Sequence, residues 1–218
     1  MDRRSLAILG VIALVTLSGC ALLTGDTLEF SATKATVSDA ATDEAGYEEV
    51  SVEPRTINQS FTVADQERDV RVTNWVATYE RDLMVGTTPA PGTVAVLSTP
   101  EISIAGQTLN PIGSMSDRDL VDRLLEEEAG VSDVNRVGTR TETVLGTETE
   151  VVTFEGTIEY EGQQVDVTIH LTRVNHGGDY VVAVALHPAV MNPEQAGVET
   201  MLSGIEHETG EGSDAGGY

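Results

Sequence analysis

Val165-Asp166-Val167-Thr168-Ile169-His170-Leu171-Thr172 alternates apolar and polar residues without a break. A period of two reads as a strand with Val165, Val167, Ile169 and Leu171 on its buried face. Asp166, Thr168, His170 and Thr172 then fall on the wet face, as in an antiparallel sheet with one solvated side. On that reading His170→Ala is nearly silent for stability. Asn175-His176-Gly177-Gly178-Asp179 is a turn, and residues 180–186 are almost all apolar. The run after the turn therefore reads as a central strand covered on both faces. Upstream, residues 137–144 and 148–160 are strand-like, and Glu161-Gly162 forms the turn into Val165. The stretch from 134 to 187 is thus a meander.

Helices flank this meander. Ser116 is an N-cap candidate with Asp119 three residues on, and Leu120, Val121, Leu124 and Leu125 recur at helical spacing until Gly130. The spacing predicts a helix over 116–129, with Leu124→Asp severely destabilising. Asn192-Pro193 opens a second helix, over 193–206, with Asn as cap and Pro at the first helical position. Val198, Met201, Leu202 and Ile205 are its apolar stripe.

The first half of the chain is more β-rich. Residues 28–32 form a candidate first strand, and Ser38 caps a short helix over 39–45 that Gly46 stops. Thr56 to Val63 alternates, a polar turn follows at Asp65-Gln66-Glu67, and strand character resumes over 70–79, which predicts a hairpin. Pro89 and Pro91 mark 88–92 as a loop, and 93–98 and 101–105 read as short strands. The fold class expected is α+β: a mainly antiparallel β-sheet with two principal helices packed on it. The order of helix, antiparallel strands and C-terminal helix over roughly 110–207 resembles the Mog1/PsbP-like domains. That resemblance implies an α/β/α sandwich and rests on element order rather than on a motif.

The N-terminus has the three parts of an export signal. Arg3 and Arg4 are the positive start, residues 6–17 the apolar run, and Leu17-Ser18-Gly19-Cys20 the close. This last stretch resembles a lipobox, the motif of prokaryotic lipoproteins. The resemblance implies cleavage before Cys20, a lipid on its sulfur, and residence at the outer face of the cell membrane. The 12-residue run suits a signal better than a spanning helix of about 20 residues. Continued through Leu23 it reaches 18 residues, which leaves an uncleaved anchor as the alternative. Arg3-Arg4-Ser5-Leu6 also resembles an incomplete twin-arginine signal, so the export route stays open. The expected organisation is a signal peptide over 1–19, a tether over 20–26, one domain over 27–207 and a Gly-rich acidic tail over 208–218.

The chain carries 36 acids against 12 bases, a formal net charge of −24, and one lysine, Lys34. Loss of residues 1–19 removes Asp2, Arg3 and Arg4 and leaves 35 acids, 10 bases and a charge of −25 over 199 residues. Such self-repulsion opposes a compact state in dilute buffer. In about 1 M salt the screening length is about 3 Å and the repulsion fades. The composition looks haloarchaeal. Val70-Arg71-Val72-Thr73-Asn74-Trp75-Val76 with Tyr79, behind a lipobox, resembles a haloarchaeal lipoprotein family of unknown function. No basic patch is present to neutralise phosphates, which argues against nucleic acid. With Cys20 lipidated no thiol remains for a disulfide.

Signs of chemistry are few. The G-x-S-x-G elbow, the phosphate loop and the dinucleotide fingerprint are all absent. The histidines at 170, 176, 187 and 207 lack zinc spacing. His170 and His187 lie in different expected strands where they can meet, yet surface or turn positions are the simpler expectation. Asp117, Asp119 and Asp122 lack the glycine and terminal glutamate of a calcium loop, and a helix start favours acids anyway. Glu126-Glu127-Glu128 point in different directions on a helix and read as a solvated face. No catalytic residue, metal site or cofactor is therefore expected. Trp75, with Tyr79 beside it, is a candidate binding surface, against a core role for a strand face shared by Trp75, Ala77 and Tyr79. The function expected is a non-enzymatic binding or accessory module, held to the membrane by Cys20 and meeting a cell-surface protein. A small-ligand binder and a hydrolase built from distant residues are the alternatives.

Overall fold

The computed structural model describes residues 27–63, 66–85, 88–104, 107–125, 130–160, 162–190 and 194–208. The signal, Leu17, Ser18, Gly19, Cys20, the tether, residues 126–129, the Asn192-Pro193 cap and the tail from 209 lie outside them. The elements run β1 (Leu28–Ser31), β2 (Ala35–Val37), α1 (Asp39–Ala45), β3 (Glu48–Val63), β4 (Gln66–Val85) and β5 (Thr88–Pro100). The small ribbon β6 (Ser103–Ile104) and β7 (Gln107–Thr108), a 3-10 turn (Pro111–Gly113) and α2 (Asp117–Leu125) follow. Then come β8 (Ser132–Val144), β9 (Thr147–Tyr160), β10 (Gln163–His176), β11 (Asp179–Pro188), α3 (Glu194–Ser203) and β12 (Ile205–His207). The class is α+β, mainly β.

One sheet dominates, in the order β1-β4-β5-β11-β10-β9-β8, with β3 on the other edge of β4. The sheet is mixed. β1 lies parallel to β4, with Leu28 beside Val70 and Ser31 beside Thr73, whereas its other ladders are antiparallel. β8 to β11 form the expected meander, and Gly177 and Gly178, both at positive φ, make its last tight turn.

β11 divides the core. Val181, Ala183 and Ala185 join one apolar cluster with Tyr79, Val94, Val96, Val198, Met201 and Leu202. Val182, Val184 and Leu186 join a second with Leu120, Val121, Phe154, Val167, Ile169 and Leu171. Successive strand residues point to opposite faces, so these clusters lie on the two sides of the sheet. α1 and α3 cover the first and α2 the second. The apolar run of β11 is thus buried on both faces, as its composition implies.

The caps follow from the sequence. Ser38 Oγ accepts the Ala41 amide at 3.4 Å, and Gly46 closes α1 in the left-handed region at φ 70°. At α2, Ser116 Oγ accepts the Asp119 amide at 3.2 Å and donates to the Asp119 carboxylate at 2.7 Å. Leu120 and Val121 are fully buried, while Leu124 and Leu125 lie half-buried at the rim of their cluster.

Two expected elements differ. Residues 88–92 belong to β5 rather than to a loop, paired with β4 from Val85↔Thr88 to Arg81↔Gly92. β11 joins β5 only from Thr93 onward, so no second strand asks Pro89 and Pro91 for an amide there. The last helix ends at Ser203, and Ile205 sits in β12, opposite Val37, instead of on the helical stripe. Gly204 makes this exit possible. Its carbonyl accepts the Ser38 amide at 2.9 Å, and a Cβ there would overlap that of Ala41.

Candidate functional site

The polar face of β10 is wet only at its start, where Asp166 is exposed and Thr168 half-buried. Thr172 and His170 are buried on the side covered by α3, His170 at 3% exposure, and His187 on β11 is equally buried. The surface reading of these histidines, and with it the silent His170→Ala, is overturned. Alternation gives the period of a strand. It does not reveal that a second layer closes over the polar side.

His170 pairs directly with Thr153 on β9 and Ala185 on β11, which places His187 diagonally across from it. The two Nε2 atoms are 3.2 Å apart. His187 Nδ1 donates to the Pro188 carbonyl at 3.0 Å, so its Nε2 is the acceptor. His170 Nε2 therefore donates to His187, and His170 Nδ1 accepts from Arg140 Nη1 at 2.9 Å. Both rings are neutral in this arrangement. Burial, followed by the Arg140 charge and then His187, pushes His170 down to about 3. Burial also lowers His187, against the opposing pull of the Pro188 carbonyl and Glu194.

Arg140 leads outward from the pair. Its Nε meets Glu142 at 2.9 Å and Glu199 of α3 at 3.6 Å, while its Nη2 is buried without a partner. The imidazole lone pairs are spent internally: His170 Nδ1 on Arg140, His187 Nε2 on His170. Neither ring has a free nitrogen to take a proton from a bound molecule, which general-base work requires.

Two further polar knots hold the same half of the molecule. Glu194, buried at the start of α3, accepts from the Tyr47 hydroxyl at 2.9 Å and meets Arg81 at 3.2 Å. Burial, then the Glu194 charge, pushes the Tyr47 phenol above its ordinary range. Asp179 Oδ2 accepts from the Thr33 amide at 2.8 Å and from His207 Nε2 at 3.1 Å, and His207 Nδ1 faces His176 Nδ1 at 3.0 Å.

Of the expected binding surface, Trp75 is half-buried opposite Pro54 and Ser98. Tyr79 is fully buried, its hydroxyl accepting the Val37 amide at 2.8 Å, and it belongs to the core. The sequence allowed His170 and His187 to meet but not their burial with Arg140, because the three come from three strands and no local spacing joins them. His187 alone carried a signal: it continues a strand already apolar on both faces.

Two shallow clefts, of about 280 and 340 Å³, open elsewhere. One is lined by Asp117, Glu150 and Arg173 among others, the second by Asp133, Glu155 and Asp166, and neither reaches Trp75 or a histidine. Among the described residues no group of three or more His, Cys, Asp or Glu converges to hold a metal.

The sequence model of a family described as a domain of unknown function, DUF6517, matches residues 34–206. No curated protein matches the chain. A solved protein of unknown function from Pseudomonas aeruginosa aligns with it at 7% identity and a TM-score of 0.33, over 65% of this chain and 90% of its own.

Proposed function

The chain belongs to the DUF6517 family, and on that footing we propose that it is a lipid-anchored binding module on the outer face of a salt-adapted cell's membrane. The observation that carries the non-enzymatic half is the closure of the buried His170–His187 pair: its nitrogens are engaged with one another, with Arg140 and with a backbone carbonyl. The anchored half is supported by Leu17-Ser18-Gly19-Cys20 at the end of a short apolar run. Helices on both faces of the sheet support the Mog1/PsbP-like reading of the second half, and the Trp75 phrase supports kinship with haloarchaeal lipoproteins. No helix among the described residues is long and apolar enough to cross a membrane. The task of a module built this way is to bring a protein partner to the membrane surface. Native crosslinking in molar salt is expected to recover it joined to a cell-surface protein. Recovery of uncrosslinked monomer alone overturns the binding role.

Cys20→Ser is expected to release the protein from membranes or to leave it misprocessed at a changed mass. Two lipid chains anchor stably whereas one is marginal, and the variant has none. Fractionation with intact-mass measurement checks this. A Cys20→Ser protein that sediments with membranes at wild-type mass overturns the lipid assignment.

The charge of −25 carries a second expectation. The folded domain loses structure as salt falls from molar levels toward about 0.1 M, where the screening length grows to about 10 Å. Circular dichroism against salt concentration reads this directly. Unchanged ellipticity and melting across that range overturn the adaptation to brine.

A further inference from the structure

The hairpin β3–β4 is longer than the sheet that carries it. β5 pairs with β4 only from Trp75 to Val85, so the part of the hairpin before Trp75 runs beyond β5 with β1 alone along its inner edge. This arm has two unlike faces. Directly paired residues share a face, so Phe30, Val72 and Ile57 form one row and Leu28, Val70 and Gln59 the next. Neither row belongs to the two apolar clusters. Val70 is fully buried beneath its neighbours, Leu28, Phe30 and Val72 are half-buried, and Ile57 is 43% exposed. The reverse face is polar, with Arg71 bonded to Glu29 at 2.7 Å and to Asn58 at 3.1 Å.

From the apolar face of this arm we infer that it seats on the lipid surface that holds the anchor. The inference rests on the lipid-anchored reading above. Its first support is direction. β1 runs parallel to β4, so the chain enters at Leu28 from the side where β4 begins at Gln66, the outer end of the arm. Cys20 precedes Leu28 by eight residues, a span of at most about 29 Å. The end of the molecule bearing the apolar rows is therefore the end tied down.

The second support is charge. Residues 54–74 carry three arginines against three acids, Asp65, Glu67 and Asp69, a net charge of zero in a chain of −24. A stretch of no net charge meets an anionic headgroup layer with little repulsion, whereas an excess of acid suits a surface exposed to brine. Molar salt also screens what repulsion remains and leaves apolar burial as the driving term. β1 and β3 each pair only with β4 and keep an open outer edge, so the face meets lipid at headgroup depth, where water still reaches those amides.

The test uses the full lipidated chain in vesicles of phosphatidylglycerol and phosphatidylcholine, in molar salt. With Cys20 occupied by lipid, a cysteine introduced as Ile57→Cys or Glu148→Cys takes a fluorophore at one place. Glu148 is exposed on β9, toward the far edge of the sheet. The label at 57 is expected to be quenched by brominated lipid and protected several-fold from a water-soluble quencher, and the label at 148 the reverse. If the chain floats with the vesicles but both labels are equally open to water, the inference fails and the anchor stands. If the chain does not associate with vesicles, the anchor fails and the inference with it. Protection at 57 without lipid quenching, together with crosslinks between copies, overturns the lipid surface in favour of a second copy.

Discussion

Leu120→Asp is expected to leave no stably folded domain. Leu120 is fully buried among Ile112, Val121 and Phe154 beneath α2. The substitution forfeits about 1.5–3 kcal/mol of side-chain burial. It then asks a carboxylate to enter an apolar cluster with no charged partner, at several kcal/mol more. The sum, about 5 kcal/mol or above, matches the whole stability of many domains. Leu124→Asp, one turn on and severe on the sequence pattern alone, is a milder change of about 1–2 kcal/mol because the side chain is half-buried and keeps water within reach. Thermal melts in molar salt distinguish the two. Equal losses at 120 and 124 overturn the placement of α2.

His170→Ala is the second large effect. The variant opens a cavity and removes the acceptor of Arg140 and the donor to His187, at about 2–4 kcal/mol near pH 7.5. Its pH dependence separates the neutral-pair network from simple packing. The unfolded histidine titrates near about 6.5, and folded His170 is held down to about 3. Below about pH 6.5 the unfolded chain binds the extra proton, so stability falls with pH in that window and is fully present above it. His187 is shifted the same way. The wild-type advantage over His170→Ala is therefore widest above pH 7 and narrows steadily toward pH 4. An advantage that stays constant from pH 7.5 to 4 overturns the neutral pair. The comparison cancels the neutralisation of the acids, which both proteins share.

These two residues also mark where the sequence is legible. Leu120 sits in a capped, helix-periodic run, and the cap, the buried stripe and the sheet beneath it follow from local chemistry. α1 between Ser38 and Gly46, the β3–β4 hairpin and the meander from β8 to β11 are legible for the same reason: each is specified by neighbours in the chain. His170 is not local. Whether its face is wet depends on α3 folding back over β10, and α3 stands apart from it in sequence. The histidine pair, the Glu194–Tyr47–Arg81 knot and the Asp179–His207 contact join segments separated by 17 to 147 residues. The parallel pairing of β1 escaped for a related reason. Four alternating residues show a strand but not which neighbour it chooses or in which direction.

The pairing of Ile205 with Val37 has a consequence in time. β12 is the last strand of the domain, and its partner β2 is almost the first. Asp179 ties the same region together through the Thr33 amide and His207. β1 can join β4 early and β8 to β11 can zip as each strand leaves the synthesis machinery, but β2 and α1 wait for partners made last. Loop closure over such separations slows folding. A nascent chain halted before residue 205 thus holds α1 and β2 with no strand to finish them. A channel that threads unfolded chains must hand over residue 207 before the domain can close, on the far side of the membrane. A carrier of folded cargo demands the opposite order, with this final clasp already fastened in the cytoplasm.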